Sequence, residues 1–142
     1  MDKFAFIIHP LELSDYTRKF PWMKFLPKFI LAEIAKHIPS FRVSHITGIK
    51  SKTGKQIEGY FICCPLSSQQ MLTLSEDLVL SKIIKAGKKA EELGVDIIGL
   101  GSFTSVVADK GITIAKKLNT PVTSGNSYTV ATAIEGTKMA AK

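Results

Sequence analysis

The chain begins with a run that is apolar at odd and even positions alike, Lys3 to Ile8 (KFAFII). That pattern predicts a strand covered on both faces, because a strand with one wet face would alternate. Ser14 and Asp15 offer an N-cap for a short helix through Phe20, which Pro21 stops. Trp22 to Ile38 reads as helix interrupted at Pro27. Spaced at about 100° per residue, Ile30, Leu31, Ile34, Ala35 and Ile38 share one stripe. Lys28, Glu33, Lys36 and His37 fall opposite, with Phe29 stranded among them.

Phe41 to Lys50 and Ile57 to Cys64 flank the loop Ser51-Lys-Thr-Gly-Lys55, which predicts a β-hairpin ended by Pro65 and Leu66. A helix follows from Ser75, with Glu76 and Asp77 at its positive end and Gly94 as its left-handed terminator. Val95 to Ile98, Gly111 to Leu118, Pro121 to Val122 and a stretch from Asn126 then read strand, helix, strand, helix. The expected fold is therefore α/β: a largely parallel sheet with an antiparallel hairpin and helices on both faces, one domain over residues 1–142. Repeats and low-complexity tracts are absent from the sequence.

Composition narrows the function classes. No apolar run approaches the roughly 18 residues of a membrane span, and the five apolar residues before His9 are too few for a secretory signal. The two cysteines, Cys63 and Cys64, are adjacent and cannot join distant segments, so both read as reduced thiols packed in a cytoplasmic protein. The net charge of +7, from 19 basic and 12 acidic residues, is carried mainly by dispersed lysines. Without an arginine cluster, an aromatic platform or a finger motif, this charge does not predict a nucleic-acid partner. It suits an acidic protein or a phosphorylated ligand. At most peripheral membrane contact is expected, and self-association is left open.

Two segments carry the candidate chemistry. Gly99-Leu-Gly-Ser-Phe-Thr-Ser105 and Thr123-Ser-Gly-Asn-Ser-Tyr-Thr129 each follow a short apolar run and are dense in Gly, Ser and Thr. Two strand ends opening into such loops describe the edge of an α/β sheet, where ligands bind. Gly101 and Gly125 permit close backbone approach, while Ser102, Thr104, Ser105, Asn126, Ser127 and Thr129 offer neutral donors beside expected helix N-termini. His9 ends the first strand and belongs to the same edge if that strand is parallel. The spacing G-x-G-x-x-T falls short of a dinucleotide fingerprint. Thr104 replaces its third glycine, and the next strand ends in Thr123-Ser124 rather than an acid. No Ser-His-Asp order, carboxylate pair or metal-ligand spacing is present, so no catalytic residue is assigned.

Together with Ile7-Ile-His9, Ser44-His-Ile-Thr47, Thr53-Gly-Lys55 and Gly59-Tyr60, the two loop motifs extend over most of the chain. In this combination the sequence resembles the amino-terminal domain of the long-chain acyl-carrier-protein reductases, which form fatty aldehydes, and of related proteins described as amino-acid or shikimate-type dehydrogenases. The resemblance implies a substrate-binding domain of an NAD(P)-dependent oxidoreductase acting on an acyl thioester or small carboxylate. It also implies a Rossmann domain after the helix corresponding to Tyr128 to Lys142. NAD or NADP would be held by the parent protein and not by this chain, which alone would be inactive. The reactive cysteine of those reductases lies beyond that domain, so Cys63 and Cys64 do not inherit its role. An acidic acyl carrier protein becomes an expected partner. A rival reading of a different class is a stand-alone binding or scaffold module that engages such a carrier or a membrane surface through the basic helix Trp22 to His37.

Overall fold

The first strand organises the sheet, because the chain passes to one side of it and then to the other. The computed structural model describes residues 2–141, with every side chain among them except that of Lys19. β1 (Asp2–Ile8) lies between β3 (Gln56–Cys63) and β4 (Ile97–Leu100) and is parallel to both. β2 (Phe41–Lys50) pairs antiparallel with β3, and β5 (Val122–Thr123) pairs parallel with β4. The order is β2-β3-β1-β4-β5, a mostly parallel α/β sheet with one antiparallel pair and helices around it, as the pattern predicted.

Period-two alternation decides which residues form the core. Ala5 and Ile7 point to the same side as Tyr60, Ile62, Ile98 and Leu100, and all six are buried. α4 (Glu76–Glu91) covers them with Val79, Ile83, Ala86 and Ala90, a stripe at helical spacing. Each fully buried Ile in this layer is worth about 1.5–3 kcal/mol of hydrophobic free energy. The opposite parity departs from expectation. Phe6 is 42% and Ile97 43% exposed, so the second face of β1 and β4 is only partly covered. The Phe4 and Phe6 rings cover Gly59 and Gly99, where a Cβ would fall 2.2 and 2.4 Å from ring carbons. Aromatic rings resting on glycine backbone give this face part of its apolar cover.

The first crossover contains α1 (Asp15–Lys19), a 3-10 turn at Pro21–Phe25 and α2 (Lys28–His37). Tyr16, Met23, Leu31 and Ala35 form a second small core beneath them. Ser14 precedes α1 without capping it. The Asp15 carboxylate instead accepts from the Leu11 and Glu12 N–H groups at 2.9 and 3.2 Å, which fixes the exit from β1. α3 (Ser68–Thr73) was not predicted, yet Ser67 and Gln70 complete a reciprocal capping box at its start. Gln70 also donates to the Ala32 carbonyl at 2.7 Å, tying α3 to α2.

β4 begins two residues later than the apolar run. Asp96 is spent on β1, its N–H donating to the Lys3 carbonyl and its carboxylate accepting from the Lys3 N–H at 2.8 Å. After α5 (Ile112–Lys117), Glu91 of α4 accepts from the Asn119 and Thr120 N–H groups and aims the chain into β5. α6 (Asn126–Ala140) then runs with none of its residues buried. Tyr128, Val130, Ile134 and Met139 are exposed along it. Among the described residues, no helix is long and apolar enough to cross a membrane.

Candidate site at the carboxyl edge of the sheet

Parallel pairing brings His9, Cys63-Cys64, Gly101 and Ser124-Gly125 to one edge, the carboxyl ends of β1, β3, β4 and β5. The chain leaves β1 toward β3 and leaves β4 toward β5, so the direction of winding reverses between β1 and β4. A crevice opens at such a reversal. His9 sits there, 9% exposed, with both ring nitrogens engaged. Its Nε2 accepts from the Phe103 N–H at 3.3 Å, and its Nδ1 lies 2.9 Å from the Pro10 carbonyl. A carbonyl can only accept, so this geometry assigns the proton to Nδ1 and the lone pair to Nε2. The imidazole also meets the Phe103 ring edge to face, with centroids 5.9 Å apart. His9 thus clamps the end of β1 to the loop after β4.

That loop is a 3-10 turn over Ser102–Ser105, where the sequence suggested a helix N-terminus. The Gly101 N–H donates to the Ile7 carbonyl at 3.0 Å. A Cβ on Gly101 would lie 3.0 Å from that same oxygen, so a side chain there would crowd the close approach. Thr104 is fully buried, and its hydroxyl lies within reach of the Gly101 and Ile7 carbonyls at 2.8 and 3.4 Å. Ser105 donates to the Ser102 carbonyl at 2.7 Å. Both hydroxyls therefore brace the turn from inside. Ser102 is exposed with φ of 52°, which turns it away from that internal network. A four-residue turn provides no helix dipole for a pyrophosphate, and Thr104 fills the turn's interior. The residues of this loop do not fit a dinucleotide.

Across the β4–β5 pair, Gly125 rather than Asn126 or Ser127 is the N-cap of α6, with φ of +74°. Its N–H donates to Thr123 Oγ1 at 3.1 Å, and its carbonyl accepts from Thr129 Oγ1 at 3.2 Å. No side chain caps this helix, and Asn126 and Ser127 stand exposed at its start. The predicted residues thus separate by role. Ser102, Asn126 and Ser127 face solvent, whereas His9, Gly101, Thr104, Ser105, Gly125 and Thr129 shape the two loops.

A cleft of about 430 Å³ adjoins His9 on the β3 side of β1. Ile8, Pro10, Leu11, Phe20, Phe41 and Val43 make its walls largely apolar, with Asp15 and Arg18 the charged residues of its lining. Sequence reading missed it, since no local signal announces that the crossover returns Phe20 to the ends of β1 and β2. Tyr16 also lines this cleft, with a hydroxyl sealed from solvent and unpartnered. Burial, then the Cys63 and Cys64 thiols, push its phenol far above the usual range and keep it protonated. Burial likewise pushes the Cys64 thiol up to about 12, with Cys63 adding to the effect. An inert, protonated Cys64 fits a packing role. Among the described residues, no group of three His, Cys, Asp or Glu converges to hold a metal ion.

Comparison with known proteins gives a partial likeness. No model of a known protein family matches the chain. The chain is similar to the aminotransferase PigE of Serratia sp. (strain ATCC 39006), 37% identical over 81 residues. That stretch is 57% of this chain but only 9% of that protein.

Proposed function

We propose that this chain is the substrate-holding portion of an NAD(P)-dependent oxidoreductase that acts on an acyl thioester. One observation carries the reading: an apolar cleft and a hydroxyl-bearing loop meet at His9, on the sheet edge where ligands bind. The cleft suits an aliphatic chain, each buried methylene contributing about 0.8 kcal/mol. Ser102, Asn126, Ser127 and the free N–H groups starting α6 suit the thioester carbonyl, an oxygen that gains negative charge as it is reduced. Neither Gly101–Ser105 nor Ser124–Thr129 contains Lys or Arg, so the donor set is neutral and favours a carbonyl over a polyphosphate.

Since the loop after β4 does not fit a dinucleotide, the nicotinamide nucleotide would be held by residues outside this chain. The likeness to PigE is compatible with a portion of a larger enzyme, because the shared stretch is a small fraction of that protein. Transamination would call for a lysine able to bind an aldehyde cofactor, and the two edge loops offer none.

The test uses the protein in which this chain is joined to a nucleotide-binding domain. Ser102→Ala and Asn126→Ala should each lower kcat/KM for NAD(P)H-dependent reduction of an acyl thioester by roughly 5- to 150-fold, the equivalent of about 1–3 kcal/mol. Both sites are exposed, so the melting temperature should hold. Unchanged efficiency in both variants would mean the thioester is held elsewhere. Turnover by amino-group transfer without NAD(P)H would replace the proposal altogether.

A further inference from the structure

The crossover after β1 presents its largest aromatic side chains to solvent. Trp22 is 58%, Phe25 88% and Phe29 75% exposed, and Leu11, earlier in the same crossover, 69%. These residues are not a core stripe that lacks its partner. Met23, Leu31 and Ala35 of the same elements already fill the small core with Tyr16, so the turn and α2 are anchored by their inner faces. Trp22 and Phe25 lie three residues apart in the 3-10 turn, where such residues align, and Phe29 follows in the first turn of α2. Soluble surfaces rarely gather such rings without a use for them.

Charge indicates the use. From Tyr16 to Ala32 the sequence carries Arg18, Lys19, Lys24 and Lys28 and neither Asp nor Glu. Arg18, Lys24 and Lys28 are exposed. We propose that this aromatic and basic surface docks on a bilayer containing anionic lipid, with Trp22, Phe25 and Phe29 entering the headgroup boundary and the cations meeting lipid phosphates. The inference is independent of the proposed catalytic role. A bilayer accepts protruding rings without a preformed complementary surface, and long cationic side chains reach from an apolar footing to the headgroups. Tryptophan favours that same boundary. An acidic protein would also answer the cations, but it would need pits to receive three protruding rings.

Trp22 is the sole tryptophan and reports directly on its own surroundings. The chain is mixed with vesicles of phosphatidylcholine, with or without an equal share of phosphatidylglycerol, and followed by co-sedimentation and Trp22 emission. The expected result is sedimentation with the anionic vesicles, a blue shift of Trp22 and loss of both as salt is raised. Phe25→Ser with Phe29→Ser should weaken binding at least about tenfold, and Lys24→Glu with Lys28→Glu should remove the preference for anionic lipid. These positions are exposed, and circular dichroism should confirm unchanged folding. Failure to bind anionic vesicles, unshifted Trp22 emission or equal binding to phosphatidylcholine alone would overturn the proposal. Undiminished binding by the Phe variant would do the same. Saturable capture of an acidic carrier protein with no vesicle binding would assign the surface to a protein instead.

Discussion

Replacing His9 by Ala tests whether this residue holds the candidate site together. Three contributions are lost at once. The Phe103 N–H gives up a 3.3 Å bond to Nε2 in a partly buried place, at about 1 kcal/mol. The edge-to-face contact at 5.9 Å contributes about 1 kcal/mol more, and the vacated imidazole volume about another 1. The sum of about 3 kcal/mol corresponds to a fall in melting temperature of about 10 °C for a chain of this size. Thermal unfolding followed by circular dichroism measures it. Amide exchange locates it, because the Phe103 N–H should lose protection before the core of α4 does. A cycle with Phe103→Leu should recover a coupling of about 0.5–1.5 kcal/mol. A melting temperature within about 3 °C of the parent, with Phe103 still protected, would refute the clamp.

Other substitutions separate the remaining ideas. Gly101→Val should destabilise the fold by about 1–3 kcal/mol in urea titration, since its Cβ falls 3.0 Å from the Ile7 carbonyl. Gly125→Asn should cost under about 1 kcal/mol, because asparagine tolerates the left-handed backbone and the space there is open. In the isolated chain, amides of residues 126–140 should exchange fast, because α6 has no buried residue and a helix this short is marginal alone. Raising the Cys64 pKa from 9.0 to about 12 means that the unfolded chain releases its proton first. Its contribution is therefore complete below pH 9.0 and fades as pH climbs toward 12, with Tyr16 acting in the same sense. The urea midpoint should fall as pH rises above about 9, and Cys64→Ala should flatten that fall.

Much of the fold was legible because its signals are local. The hairpin loop at Ser51–Lys55, the acidic start of α4 and the glycine after it punctuate the chain unambiguously. The edge was legible too, since apolar runs ending in Gly and Ser mark strand ends. What escaped depends on long-range placement. Only the fold turns the Thr104 hydroxyl inward, to carbonyls at 2.8 and 3.4 Å, where a neutral reading of Ser and Thr expected an open donor. Phe6 looked buried because apolar residues on both parities imply two covered faces, yet its ring lies against Gly99 with 42% of its surface exposed. α6 gave no facing signal, because its apolar residues are spread around the helix. α3 is the exception, missed although its Ser67-to-Gln70 capping box is a local signal.

The central claim is that the carboxyl edge holds a thioester between the loops of β4 and β5. Its most direct measurement is an amide-resolved NMR titration of this chain with a decanoyl-pantetheine thioester, and separately with NADPH. The thioester should move the amides of Ser102, Phe103, Asn126 and Ser127 together with residues of the cleft at Ile8 and Phe41, while NADPH should leave the spectrum unchanged. Thioester shifts confined to other surfaces, or saturable NADPH binding at Gly99–Ser105, would contradict the account.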